Sequence, residues 1–297
     1  MESPRAGLLR KLIEHFNGPG FHKHTVYLVN IMETNSTNTE KSLRAVVIVP
    51  TYNEAETLPT LLGRLCSPTV GIDVLVVDDA SPDGTREIVK RHAEFERHVF
   101  LLARNGKRGL ASAYKAGFEW ALARGYDVCL EMDADLSHDP LDVPRLLDAV
   151  RNGTDVAIGS RYVGGIRVIN WPPARLLLSL FAGMYTRRLT GLPLSDPTSG
   201  FKAVHRRVLQ SLDWSELRAD GYAFQIELHY HAWKAGFALR EIPIIFTERR
   251  SGASKMSHRI AFEGAWRVLA LGAERIVQSA ANPPSGPVGE PHRSQSR

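Results

Sequence analysis

The chain has 297 residues, 43% hydrophobic and 23% charged, with a formal charge of +5 and a pI of about 9.3. These values fit one large α/β domain with tails; the absence of any apolar run of about 18 residues excludes a transmembrane helix. The basic balance suits anionic partners, and with no helix-turn-helix, zinc-finger or RNP pattern it points to phosphates and lipid head groups, not nucleic acid.

Residues 1–43 read as an extension and linker. Leu8, Leu9, Leu12, Ile13 and Phe16 share a helical face that Asn17-Gly18-Pro19-Gly20 ends, and 33–40 is polar. Arg10, Lys11 and Glu14 interrupt any signal-peptide core. The catalytic domain is expected over 44–279, and 280–297, rich in Pro, Ser and charge, as a disordered tail. Within the domain, Ala45–Val49 is a β-branched run stopped by Pro50 and reads as a buried strand. Leu58, Leu61, Leu62 and Leu65 mark a helix, and Asn53 is a candidate cap for it. Val74–Val77 is a second strand, followed by a Ser-Pro-Asp-Gly turn and a helix that Thr85 would cap. Then come a strand over 98–103, a helix over 111–124, a strand over 128–132, a helix marked by Val143, Leu146, Leu147 and Val150, and a strand at 156–158. This alternation predicts an α/β fold, a mostly parallel sheet with helices on both faces. Cys66 and Cys129 lack metal-ligand spacing and read as reduced core thiols of a cytoplasmic protein.

In such sheets ligands bind beyond the carboxyl ends of the strands. The acidic residues fall there: Glu54 after the first strand, Asp78 and Asp79 after the second, Asp133 and Asp135 after the fourth. Two carboxylates spaced as Asp133-Ala134-Asp135 suit Mg²⁺ or Mn²⁺ shared with a diphosphate, although a bare DxD is more often a solvated turn. Tyr52 and Glu54 offer a flat ring and a carboxylate to a nucleoside; the bland alternative is a strand exit. For Asp78-Asp79 it is a turn carboxylate. Gln225-Ile226-Glu227 reads as helix packing, and His205, His229 and His231 as structural.

Together, Pro50-Thr51-Tyr52-Asn53-Glu54, the stretch Val77–Thr85, Met132–His138, Gly159-Ser160-Arg161-Tyr162, Trp171 with Arg175 and Ser179, Asp196–Phe201 and Arg249–Lys255 resemble the inverting family 2 glycosyltransferases. Within that family they are most similar to the subgroup that makes polyprenyl phosphate mannose. The resemblance covers about 44–260 and implies the GT-A nucleotide-sugar-binding fold, GDP-mannose as donor and a polyprenyl (dolichyl-type) phosphate as acceptor. It implies that Pro50, Tyr52, Glu54, Val77 and Asp79 hold the nucleoside, and that Asp133, Ala134 and Asp135 hold the metal and diphosphate. Ser137 stands where the family can place a glutamine ligand. Arg161, Arg175 and Ser179 match acceptor-phosphate positions, which suits the forked guanidinium, and Arg249 and Lys255 match a basic loop over the donor diphosphate. Asp133, Asp135 and Arg161 would carry catalysis. An anionic acceptor phosphate attacks without a strong general base, so positioning and charge stabilisation suffice.

A lipid acceptor requires a membrane surface. Leu176–Tyr185, flanked by Arg175 and Arg187-Arg188, is too short to span and suits an interfacial helix, with a buried core helix as its rival. The expected location is peripheral, on the cytoplasmic face of a membrane, with room for an integral membrane partner protein. The competing functions are a polyprenyl-phosphate glucosyltransferase using UDP-glucose, a nucleotidyltransferase, disfavoured because no glycine-rich loop follows the first strand, and a non-catalytic scaffold.

Overall fold

The computed structural model describes residues 43–219, 221–248 and 258–281, with side chains of the last helix described over 264–275. The expected extension thus lies almost wholly outside the described residues, as do Arg249, Lys255 and the tail beyond Ala281.

Seven strands, β1 (Ala45–Thr51), β2 (Asp73–Asp78), β3 (Val99–Ala103), β4 (Val128–Glu131), β5 (Val156–Ser160), β7 (Lys202–His205) and β8 (Leu239–Pro243), form one sheet in the order β3-β2-β1-β4-β7-β5-β8. All ladders are parallel except those of β7, which runs antiparallel between β4 and β5. β6 (Val168–Ile169) and β9 (Phe246–Thr247) pair as a separate parallel ribbon. The chain winds outward from β1 to β3 and then returns to place β4 on the other side of β1. That reversal opens a crevice at the carboxyl ends of β1 and β4.

Alternation along the strands divides the core. Val47, Val49, Val74, Val76 and Leu130 face α1 (Leu58–Leu65) and α4 (Val143–Arg151). Val46, Ile48, Leu75, Val77 and Cys129 face α3 (Leu110–Ala123), α6 (Arg206–Ser211) and α7 (Gly221–Lys234). Helices therefore cover both faces, as β-branched runs buried on both sides require. In α3, a Cβ on Gly117 would meet Ile48 Cγ2 at 2.6 Å, so the missing side chain lets the helix lie directly on β1. A last layer packs α5 (Pro173–Thr190) and α8 (His258–Ala281) beside α7 through Tyr185, Leu189, Ile226, Tyr230, Val268 and Leu271.

Local readings needed correction in three places. β1 continues through Pro50: pairing with β4 ends at Ile48–Glu131, so the missing proline N–H breaks no ladder bond. Asn53 does not cap α1, whose N-cap position is Thr57; it sits at φ 60° in the turn after β1. Thr85 is the first residue of α2 (Thr85–Lys90) and not its cap; its hydroxyl donates to Asp83 at 2.6 Å. Both cysteines are free, and burial pushes the Cys129 thiol up to about 12.

Candidate active site

The turns leaving β1 and β2 are laced together. Asn53 N donates to Ser81 Oγ at 3.0 Å, Glu54 N to Thr85 Oγ1 at 3.2 Å and Ala55 N to Asp83 at 3.0 Å. Asp78 is fully buried and accepts from Thr51 Oγ1, Ser81 N, Ser81 Oγ and Arg86 Nε. Burial alone would raise its pKa, but the hydrogen bonds from Ser81, Arg86 and Thr51 prevail and lower it. Asp78 is thus the turn carboxylate. Asp79 faces the other way, 3.1 Å from Arg104 Nε and 3.0 Å from the Arg108 N–H. The loop so anchored carries Lys107, whose ammonium lies 4.2 Å from the centre of the Tyr52 ring. Pro50 and Tyr52 are partly exposed beside it, whereas the Val77 side chain is wholly in the core, leaving only its main chain for a ligand.

At the exit of β4, Asp133 and Asp135 are partly exposed around a buried Ala134. Ser137 N donates to Asp135 Oδ1 at 3.0 Å, and Thr247 N on β9 donates to Ser137 O at 3.2 Å. Asn53, Ala80 and Leu136 take positive φ in the three turns beyond β1, β2 and β4; only Glu96 and Asn170 share that state among the other described non-glycine residues. Backbone strain is thus concentrated where the acidic residues emerge. No group of three His, Cys, Asp or Glu residues suited to a metal occurs among the described residues. An oxygen-only set of two carboxylates nevertheless fits a hard divalent cation that keeps waters and substrate phosphates. Ser137 Oγ, two residues beyond Asp135, is buried and without a hydrogen-bond partner among the described residues.

The basic side is organised around Trp171, which stacks under Arg175 at 4.4 Å and lies 5.4 Å from Arg161. Ser179, one turn beyond Arg175 on α5, accepts from Tyr162 Oη at 2.7 Å. The structure therefore brings Arg161, Arg175 and Ser179 together, yet the two arginines differ. Arg161 is buried and its fork is held by Asp196, with Nε at 2.7 Å and Nη2 at 2.5 Å, and Nη2 also meets Thr198 Oγ1 at 2.8 Å. Asp196 raises the Arg161 pKa further despite burial. Arg175 is part-exposed and paired with Glu248. His138 is buried against Phe201 at 4.9 Å and Phe246 at 5.2 Å; burial drives its pKa down to about 4.

Sequence reasoning did not single out Lys202 or Glu131, a fully buried ion pair, nor the contact of Gln225 with them. A signal existed: opposite charges inside two apolar strands, Val128–Met132 and Phe201–Val204, pair or are costly. The helix over the apolar run is 18 residues long, and Leu177, Phe181 and Met184 are 67%, 58% and 51% exposed, which rules out the buried-core alternative for that stripe. No described helix is long and apolar enough to cross a membrane.

Residues 46–213 match the sequence model of Glycosyl transferase family 2, and the chain belongs to that family: it is a glycosyltransferase. It is 48% identical over 230 residues to the polyprenol monophosphomannose synthase of Mycolicibacterium smegmatis, covering 77% of this chain and 87% of that one. It is 45% identical over 230 residues to the undecaprenyl-phosphate mannosyltransferase of Micrococcus luteus, covering 77% and 94%. Among solved structures, glucosyl-3-phosphoglycerate synthase from Mycobacterium tuberculosis in complex with Mg²⁺ and UDP superposes with a TM-score of 0.59 at 19% identity, over 78% of this chain and 80% of that one. The shared architecture is the GT-A fold.

Proposed function

We propose that this glycosyltransferase moves mannose from GDP-mannose to a polyprenyl phosphate with inversion, releasing GDP, while lying on the cytoplasmic face of a membrane. One observation carries the lipid half of the reading. Arg175 and Ser179, beside the crevice, share α5 with the exposed stripe Leu177, Phe181 and Met184. A phosphate on an apolar tail is addressed at both ends by such a helix. The names of the two relatives supply the sugar and the class of lipid.

In this reading Tyr52, Glu54, Asp79, Pro50 and the main chain of Val77 hold the nucleoside. Asp133, Asp135 and Ser137 would hold Mg²⁺ or Mn²⁺, which would supply positive charge to the leaving diphosphate; Ala134 leaves room between them, and Arg249 and Lys255 would add basic charge for the same diphosphate. Arg175 exchanges Glu248 for the acceptor phosphate and, with Ser179, aims one of its oxygens at the anomeric carbon. Arg161, with its fork on Asp196, fixes the Trp171 ring on which Arg175 lies instead of gripping phosphate alone. Residues 44–279 form the catalytic domain, with 1–43 and 280–297 as appendages, and an integral membrane partner completes the anchorage. Nucleotide release with polyprenyl phosphate present tests the donor: GDP from GDP-mannose should outpace UDP from UDP-glucose, and the reverse order replaces mannose by glucose.

A further inference from the structure

We propose that Lys202 and Gln225, acting through Glu131, are positioning residues that set the Asp133–Asp135 pair for its cation. The proposal rests on the reading of those two aspartates as cation ligands. Glu131, Asp133 and Asp135 alternate with Met132 and Ala134, which puts three carboxylates at the exit of one strand. Like charges spaced two residues apart at a strand exit repel one another.

The counter-charge comes from below. Lys202 opens the antiparallel strand β7, opposite Glu131 on β4 and Ile158 on β5. Its ammonium is fully buried, donates to Glu131 Oε2 at 3.2 Å and to Gln225 Oε1, and Gln225 Nε2 closes the triangle onto Glu131 Oε2 at 2.7 Å. The ammonium thus ties β4 to α7, while the backbone of β7 joins β4, which leads to Asp133, to β5, which leads to Arg161. Its field reaches both Asp133 and Asp196. Three buried polar atoms around this triangle, Glu131 Oε1, Tyr114 Oη and His229 Nε2, lack hydrogen-bond partners among the described residues. Tyr114 feels Asp133, Glu131 and Asp135, and His229 feels Lys202. A core assembled only for stability satisfies such atoms and does as well with apolar side chains in place of a buried ion pair. A buried ion pair two residues before Asp133, with a field that reaches it, points to a task at the site.

The test separates folding from cation binding. The full chain carrying Glu131→Leu, Lys202→Met and Gln225→Leu together should keep its cooperative thermal transition and its affinity for GDP alone. Its affinity for Mn²⁺ in the presence of GDP, read by calorimetry and by Mn²⁺ electron paramagnetic resonance, should fall about 10- to 100-fold, as for other residues that orient ligands from behind. Should that set fail to fold, Glu131→Gln with Lys202→Gln, which removes both charges and keeps polarity, carries the same comparison. A folded variant with wild-type Mn²⁺ affinity overturns the positioning role. Wild-type protein that binds no Mn²⁺ with GDP overturns the cation-site reading instead, so the two failures are distinct.

Discussion

Replacing Asp196 by asparagine removes the charge that holds Arg161 while keeping the shape of the side chain. Asp196 is fully buried, accepts three hydrogen bonds from Arg161 at 2.5–3.0 Å, and leaves the arginine side chain only 8% exposed. Breaking a buried pair by removing one partner costs about 3–5 kcal/mol, because the remaining charge is uncompensated. Asparagine keeps one acceptor oxygen, so the lower end, about 3 kcal/mol, is the expected loss. At about 2–4 °C per kcal/mol for a domain of this size, Tm should fall by about 6–12 °C. Scanning calorimetry of the full chain at low and high salt measures it. A buried pair is little screened, so the shift should be the same in both. A fall under about 2 °C, or one that vanishes in high salt, refutes the reasoning. The companion Arg161→Met/Asp196→Leu should recover most of the loss, because volume is kept and no charge is stranded.

Three further perturbations probe other parts of the molecule. Glu248→Gln removes the anion that competes for Arg175; for a part-exposed pair worth about 0.5–1 kcal/mol, the KM for polyprenyl phosphate should drop about two- to five-fold, and a rise would assign Glu248 a supporting role. Leu177→Asp with Phe181→Asp should abolish sedimentation with anionic vesicles while changing unfolding free energy by less than about 0.5 kcal/mol, since both side chains are exposed; undiminished vesicle binding would move the membrane contact elsewhere. Burial and the Lys202 charge hold the His229 pKa well below the ordinary value, so the native state keeps this histidine neutral while the unfolded chain takes up a proton below about pH 6.5. Its contribution is complete above that pH and is lost on acidification by about 1.4 kcal/mol per pH unit, a slope that His229→Asn, able to keep the bond to Pro197 O, should flatten. A denaturation series from about pH 7.5 down to 5 reads it, and an unchanged slope in the variant would be the contrary result.

The parallel half of the sheet was legible because Ala45–Val49, Val74–Val77 and Val128–Met132 are apolar runs bounded by turn residues, the pattern of strands covered on both faces. β7 and β8 were not, since Lys202–His205 and Leu239–Pro243 are short and interrupted by charged residues. The acidic residues declared themselves by following strand ends. The state of the arginines did not: Asp196 lies 35 positions from Arg161 and Glu248 lies 73 from Arg175, and no local pattern announces such pairings. For α5, periodicity cannot separate a buried apolar stripe from an exposed one. Among the described residues, α8 packs on the Tyr185–Leu189 side, and Phe181 and Met184 are left exposed.

Mannose is expected to end on the lipid phosphate. Radiolabelled GDP-mannose incubated with polyprenyl phosphate, Mg²⁺ or Mn²⁺ and the full chain, then extracted with organic solvent, should yield label in the lipid phase at a rate that Asp135→Ala lowers about a hundredfold or more. Label that stays in the aqueous phase with the wild-type chain, or an Asp135→Ala variant as fast as wild type, would contradict it.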